Sequence, residues 1–333
     1  QDTLNQIASD PRLSPAKLYI FSKMNQENLD IFKAIWPTIP VKRRRAIIQE
    51  LLEISEVNFE VDFDPVFLTA LGDEDAEVRA GAVKSLWEYE KPSLIAPLIH
   101  LLKADEAAIV REAAASALGK FIYLRELEEI DWHEANLAEE ALLQTIYQGN
   151  EVIDVRRRAV ESIAYSSNPG ITEIIENAYY HDDEKMQVSA IFAMGRNADA
   201  QWIPRVIAEL ENPNAEIRFE AARASGELEA KEAIDKLVMI IEEDSDQETQ
   251  EMAIWALGRI GGPTARRVLE ACLEDDNEAL VLAAEEALDE INMFEENLIL
   301  YDFEVEEFED DDFEDYLDID YPNGHSRNSD YLN

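Results

Sequence analysis

Histidine and cysteine, the side chains that most often ligate transition metals, are few in this sequence. The four histidines, His100, His133, His181 and His325, show no metal-ligand spacing with one another or with Cys272. A single cysteine cannot build a disulfide framework, and Cys272 lies in an apolar helical stripe, as a small core residue does. The sequence therefore predicts neither a metal ion nor a cofactor.

Other patterns that support catalysis are equally weak. Residues 258–263 are rich in glycine, but they follow a predicted helix rather than a strand, so a phosphate-binding loop is not expected. Acidic pairs are abundant among 73 Asp and Glu residues, and none stands out as an acid–base pair. Because no nucleophile occurs in a recognisable motif either, we predict no catalytic residues and no enzymatic activity.

A repeat of about 31 residues organises most of the chain. Its corresponding positions, here called anchors, are Arg79, Arg111, Arg156, Gln187, Arg218, Gln250 and Val281. An alanine stands three residues after every anchor, and a small residue stands six after it. Positions −1, +3 and +7 from the anchor form one helical stripe, on which alanine allows a neighbouring helix to approach closely. The pattern predicts stacked, tightly packed helical hairpins.

A turn Asp or Asn, then Val-Arg, then Ala-Leu-Gly resembles HEAT repeats, and the period resembles the bacterial phycobilisome-lyase type. The resemblance covers residues 65–291 and implies an all-α fold, a right-handed α-solenoid of about eight HEAT-like hairpins. It also implies a hydrogen-bond ladder between units, whose pattern Asp73 with Arg79 and Asp105 with Arg111 match. Three later anchors lack the arginine, so we expect the ladder to weaken toward the C-terminus.

The strongest binding signal lies on a second stripe of the anchor helices, at positions +1, +5 and +9. Position +5 is mostly polar, but Phe192 and Trp255 break this rule. Aromatic residues mixed with arginine are typical of an interface centre. The predicted partner-binding residues on this stripe are Phe192, Arg196, Phe219, Arg223, Trp255 and Arg259. The alternative is a solenoid that curls enough for Phe192 and Trp255 to pack against adjacent units.

The formal net charge is −44, which excludes broad binding to nucleic acids or anionic membranes and favours a basic protein partner. No uncharged stretch approaches the ~20 apolar residues of a membrane-spanning helix. The first ten residues are polar and lack the apolar core of a signal peptide. We therefore expect a cytoplasmic protein, either a monomer or a subunit of a heterocomplex.

Two local departures from the repeat have two interpretations each. Residues 42–45, Lys-Arg-Arg-Arg, are the one strongly basic run, either a solvated face or a docking site for an acidic segment. The 45-residue step between two anchors marks an insertion near residues 121–135. It is either a binding loop or a lengthened helix plus a loop whose Trp132 covers a gap in the stack.

The C-terminal tail combines acidic and aromatic residues. Residues 302–320 contain twelve Asp or Glu and no Lys or Arg, so we expect this region to be disordered alone. Interleaved aromatic residues favour docking on a basic, partly apolar groove over a purely solubilising role. The candidate docking residues are Phe303, Phe308, Phe313 and Tyr316. In a variant of this hypothesis, the tail covers residues 42–45 until a partner displaces it.

The sequence thus predicts three regions: a helical cap over 1–64, a solenoid over 65–297 and an acidic–aromatic tail over 298–333. We predict a non-catalytic scaffold or assembly factor that binds a basic protein through its concave face and tail. The family resemblance implies an alternative, a phycobilin lyase-like subunit that acts as a heterodimer on a tetrapyrrole. A nucleic-acid-binding HEAT protein is a further alternative, which the charge disfavours.

Overall fold

Eight helical hairpins stack in sequence order. The computed structural model describes residues 6–7 and 14–308, with the backbone alone for 294–308. Its α-helices are α1 Pro15–Leu18, α2 Gln26–Ile35, α3 Val41–Val57, α4 Asp64–Ala70, α5 Ala76–Ser85, α6 Ile95–Ala104, α7 Ala108–Glu126, α8 Trp132–Tyr147, α9 Ile153–Ile163, α10 Gly170–Tyr179, α11 Glu184–Asn197, α12 Ile203–Glu209, α13 Ala215–Glu227, α14 Ile234–Glu243, α15 Gln247–Ile260, α16 Gly262–Cys272 and α17 Glu278–Phe308. These described residues contain no strand, and the predicted all-α solenoid of about eight hairpins is confirmed.

The hairpins form two layers. From α2/α3 to α16/α17, the first helix of each hairpin lies in one layer and the second helix in the other. Each second helix from α3 to α15 packs on the second helix of the next hairpin, whereas successive first helices contact one another less. An array whose one layer is more closely packed curves toward that layer. The face formed by the second helices is therefore the inner face of the solenoid.

Glycines eight residues after an anchor allow the second helices to touch. A Cβ added to Gly226 would lie 2.9 Å from the Cα of Ala256 and 2.8 Å from the Trp255 ring. Gly119, Gly195 and Gly258 would meet Ser162, Ala224 and Ala287 in the same way, each at 2.9 Å. All four contacted positions are small residues six after the next anchor. The repeated glycine and small residue thus fix how closely neighbouring units approach.

Arginine anchors join neighbouring units through carboxylates. Nε and Nη2 of Arg79 donate to the two carboxylate oxygens of Asp105, each at 2.7 Å, and Nη1 donates to the Asp73 carbonyl at 2.8 Å. Arg218 makes the same bidentate contact with Asp244, at 2.6 and 2.7 Å. Burial alone would raise the pKa of Asp105, but the hydrogen bonds from Arg79 and the backbone outweigh burial and lower it.

The ladder is interrupted in the middle of the array and then resumes. Arg111 pairs with Glu151, at 2.8 and 2.9 Å. Arg156 donates instead to a backbone carbonyl of its own hairpin, because His181 stands where the next unit would present Asp. Gln187 donates to the carbonyl of His181. The expected loss at glutamine anchors is confirmed, but the decline is not progressive, because the next unit restores the arginine–aspartate pair.

The basic run 42–45 is part of the stack. Arg44 is buried, and its Nη2 donates to Glu74 at 2.6 Å. Arg45 makes a bidentate contact with Asp75, at 2.7 and 2.8 Å. These two arginines therefore connect the first hairpin to the second. The interpretation of the run as a solvated face or as a docking site does not hold for Arg44 and Arg45, since nearby carboxylates already pair with them.

The insertion lengthens two helices. α7 has 19 residues and α8 has 16, whereas α5 has 10. Arg125 near the end of α7 is buried, where it pairs with Glu139 at 2.5 Å and lies 5.0 Å from the centre of the Trp132 ring. Trp132 itself is 55% exposed, and its ring lies over this buried guanidinium. The predicted lengthened helix is thus observed.

The C-terminal part of the array ends in a long helix. Cys272 is buried at the end of α16, as predicted. The backbone of α17 continues through residues 298–308, which include Phe303 and Phe308. Phe313 and Tyr316 lie outside the described residues. In the described part of the chain, no helix is long and apolar enough to cross a membrane.

The glycine junctions predict the effect of one added methyl group. We expect Gly226→Ala to lower the free energy of unfolding by about 1–2 kcal/mol, because overpacking against Ala256 outweighs the better helix propensity of alanine. Urea denaturation measures this change. The matched control is Gly149→Ala, where an added Cβ meets nothing within 4 Å. A Gly226→Ala protein as stable as the wild type would contradict the close-packing argument.

The arginine–aspartate contacts predict a sensitivity to acid. A pKa lowered in the folded state means that Asp105 stabilises the fold above its unfolded pKa of about 3.9, and that this stabilisation disappears as the pH falls further. We expect Asp105→Asn to cost on the order of 2 kcal/mol at pH 7 and far less at pH 3. Unfolding at both pH values measures the difference. Asp276→Asn, in an exposed turn, is the control, and an equal cost at both pH values would refute the assignment.

Candidate functional site

Aromatic rings and arginines form a row along the inner face. The Arg223 guanidinium on α13 lies 3.9 Å from the centre of the Phe192 ring on α11. The Arg196 guanidinium lies 5.4 Å from the same ring and 6.0 Å from the ring of Tyr165. Tyr165 in turn lies 5.4 Å from Tyr123 on α7. Positions +5 and +9 are four residues apart, so one helix face presents them together.

Two half-buried carboxylates accompany this row. The Arg223 Nη2 atom lies 2.6 Å from a carboxylate oxygen of Glu220, but the two groups are not aligned as a hydrogen bond. Glu227 lies 3.8 Å from Arg223 and 3.4 Å from Arg196. Burial raises the pKa of Glu220 to about 7, with Arg223 opposing the rise and Glu161 and Glu227 adding to it. Negative charge is thus held on the inner face at a cost to stability.

Position +9 carries alternating charges that the sequence already contains. From the third anchor onward its residues are Tyr165, Arg196, Glu227, Arg259 and Glu290. Arg259 donates to Glu290 at 2.8 Å, and Arg196 pairs with Glu227. The search for aromatic residues at position +5 and for nearby arginines does not identify Glu227 or Tyr165. Comparison of this column between units, rather than within one helix, would have revealed both.

An acidic–aromatic cleft of about 330 Å³ opens where α9, α11 and α13 meet the start of α15. It is lined by Arg157, Arg158, Glu161, Val188, Phe192, Ala215, Glu216, Phe219, Glu220, Asp246 and Glu248. Five of these side chains are acidic and two are basic. Arg158 donates to Glu161 at 2.6 Å, and Arg157 donates to Ser189 at 3.0 Å. The two cations are thus engaged within the protein, and the cleft keeps a negative charge.

The predicted partner-binding residues do not form one patch. Phe192 and Phe219 line the acidic–aromatic cleft. Arg196 and Arg223 stack on Phe192 beside it. Trp255 packs over Gly226 of the preceding unit, as expected for a solenoid that curls. Arg259 on α15 lies outside the cleft, where it donates a hydrogen bond to Glu290 on α17.

The positions of the possible metal-ligating side chains can be compared within the described part of the chain. No group of three or more His, Cys, Asp or Glu residues there could hold a metal ion. His181 accepts a hydrogen bond from the backbone NH of Asp183 at 3.0 Å, so it acts as a turn residue, as predicted. Gly261 and Gly262 have φ values of +64° and +85° and link α15 to α16. They form a turn between helices rather than a phosphate-binding loop.

The repeat geometry agrees with a known family. A family model described as HEAT repeats matches residues 40–131, 171–251 and 203–289, which together exceed half of the chain. The chain belongs to the HEAT-repeat family. HEAT repeats and the stacked solenoid suggest a protein-interaction scaffold. No curated protein matches the chain.

Several solved structures resemble this HEAT-repeat protein at low identity. Yeast importin-beta (Kap95p) is 12% identical, over 87% of this chain and 46% of that chain, with a TM-score of 0.48. The complex of CpcE and CpcF of phycocyanin lyase from Nostoc sp. is 18% identical, over 68% and 94%, with a TM-score of 0.43. Human deoxyhypusine hydroxylase is 17% identical, over 80% and 96%, with a TM-score of 0.36.

The raised pKa of Glu220 predicts an unusual pH dependence. Because the folded pKa of about 7 exceeds the ordinary value of 4.5, the folded state loses stability as the pH rises from about 4.5 to about 7. The amide of Glu220→Gln cannot ionise, so we expect this variant to match the wild type at pH 4 and to be more stable at pH 8. Urea midpoints at both pH values measure the effect. Glu216→Gln, exposed on the same helix, is the control, and a parallel pH dependence in wild type and Glu220→Gln would contradict the assignment.

Proposed function

We propose that this HEAT-repeat protein is a non-catalytic scaffold that holds a basic segment of a partner protein in the acidic–aromatic cleft. The observation that carries the proposal is the cleft itself. Phe192 and Phe219 supply apolar surface, and the acidic side chains outnumber the basic ones. A lysine or arginine side chain is the natural complement, since its apolar stem packs on rings while its charged end meets carboxylates.

The protein already contains the mode of recognition that we propose. Arg223 stacks on one side of Phe192 while it faces Glu220 and Glu227. A partner cation that enters the cleft would repeat this arrangement on the cleft side. Such a cation would also stabilise the ionised form of Glu220, whose own environment disfavours it. Where Glu220 is protonated in the free protein, at and below about pH 7, binding would therefore release a proton.

Long-range electrostatics support the same class of partner. The net charge of −44 attracts basic proteins and increases their association rate, and it repels phosphate backbones. Because the acidic–aromatic cleft spans three second helices and the start of a fourth, it can hold an extended segment across neighbouring units. Specificity would come from the rings and from the spacing of the carboxylates. The general charge would supply the attraction.

An array of synthetic peptides that vary in net charge tests this function. We expect the retained peptides to be basic and to carry at least one bulky apolar residue. Their affinity, measured by fluorescence anisotropy, should fall about tenfold or more in Phe219→Ala, as for a central interface residue. Affinity should also rise from pH 6 to pH 8 in the wild type and lose this dependence in Glu220→Gln.

The matched control is Met239→Ala, because Met239 is an exposed apolar residue on the first-helix layer. Its affinity should equal that of the wild type. Retention of peptides without any preference for positive charge would refute the proposal. Equal affinity in Phe219→Ala and Met239→Ala would also refute it, since attraction by net charge alone would then explain the binding.

A further inference from the structure

A second cleft of about 450 Å³ lies on the inner face nearer the N-terminus, between α5 and α7. It has the opposite character to the acidic–aromatic cleft. Trp87 and Ile109 form apolar walls and are 52% and 43% exposed. Lys84 and Lys120 supply positive charge, Arg158 at the edge is paired with Glu161, and Glu112 is the one acidic residue in the lining. We call it the basic–apolar cleft.

Lys84 is the most unusual residue of this cleft. It is exposed at position +5, and no hydrogen bond or ion pair engages it within the described part of the chain. The sequence offers 73 Asp and Glu residues against 29 Lys and Arg, so an unpaired cation on the inner face is unexpected. Beside Trp87, it presents a positive charge and a large ring side by side to a ligand.

Lys120 adds positive charge but few free donors. Its ammonium group donates to the carbonyls of Leu86, Trp87 and Tyr89 at 2.7–3.0 Å, and it thereby closes the end of α5. Burial lowers the pKa of Lys120 to about 8, and Glu90, Asp64 and Glu88 oppose the decrease. The amine is therefore mostly protonated at pH 7. Lys120 fixes the part of the wall that carries Trp87. It contributes a positive electrostatic potential to the cleft but no free hydrogen-bond donor for a ligand.

The C-terminal sequence has the complementary composition. Residues 309–321, Glu-Asp-Asp-Asp-Phe-Glu-Asp-Tyr-Leu-Asp-Ile-Asp-Tyr, contain eight acidic residues, five apolar or aromatic residues and no Lys or Arg. The acidic side chains complement the charge of Lys84, and the aromatic and apolar side chains complement the exposed Trp87 ring. In the basic run 42–45, Arg44 and Arg45 are already paired with carboxylates, so two of its four cations are engaged in the stack.

Chain length decides which cleft the segment can reach. The thirteen residues after Phe308 extend at most about 45 Å. The basic–apolar cleft lies five second-helix spacings from α17, which is about 40–50 Å along the array. Contact within one chain would need nearly full extension, whereas contact between two chains has no such limit. We propose that residues 309–321 of one copy bind the basic–apolar cleft of a second copy.

A labelled synthetic peptide of residues 309–321, titrated into the full-length protein and followed by fluorescence anisotropy, tests the proposal. We expect saturable binding that Lys84→Glu weakens at least tenfold and that Trp87→Ala also weakens. A peptide with Asn and Gln in place of Asp and Glu should not bind. Lys103→Glu is the matched control, because Lys103 is exposed on α6 in the first-helix layer and carries the same charge change.

Sedimentation velocity of the full-length protein tests the assignment to a second copy. We expect association that increases with protein concentration and that is lost in Lys84→Glu but retained in Lys103→Glu. Equal peptide affinity in these two variants would overturn the cleft as the site. A protein that remains monomeric at every concentration would overturn the second-copy assignment. Phe219→Ala should change neither measurement, so failure here is distinguishable from failure of the proposed function.

Discussion

The distance between successive second helices is the constraint on which the rest of this protein depends. At four junctions a glycine faces a small residue of the next unit, and even one methyl group would enter the neighbouring backbone. Interiors packed at this density tolerate few changes of volume. The same closeness bends the array and places the +5 and +9 columns of neighbouring units within contact distance. The stacked rings and ion pairs of the inner face are a consequence of backbone packing.

Charge is distributed unequally between the framework and the surface. Three anchor arginines and two arginines of the basic run are held by carboxylates of neighbouring units, so much of the limited positive charge stabilises the stack. They are Arg79, Arg111, Arg218, Arg44 and Arg45. The excess of acidic residues over these arginines gives the protein its net negative charge. The inner face then carries two clefts of opposite character that share Arg158 in their linings. A scaffold with such a polar groove can orient a partner as well as attract it.

The sequence predicts the repeat architecture well because its signal recurs at fixed intervals. Alanine at +3, small residues at +6 and the anchor arginines identify the hairpins and the ladder before any coordinates. The inner-face sites are harder, because they combine columns from different units. Phe192 breaks a pattern and can be noticed, whereas Glu220 is unremarkable until burial raises its pKa. Trp255 looks like a binding residue in sequence, yet curvature places it over Gly226.

Among the junctions from α5 to α17, the one between α9 and α11 lacks both the close-contact glycine and the arginine–carboxylate pair. It has alanine at the position of the close-contact glycine, and its anchor, Arg156, does not pair with a carboxylate of the next unit. Polar contacts through Ser189 connect the two helices instead. In a chain of units stabilised by nearest neighbours, a junction without these two contacts is expected to resist bending less than a junction that has both. The acidic–aromatic cleft crosses the junction between α9 and α11. A bound segment that contacts both helices would therefore make this junction, and with it the solenoid, stiffer.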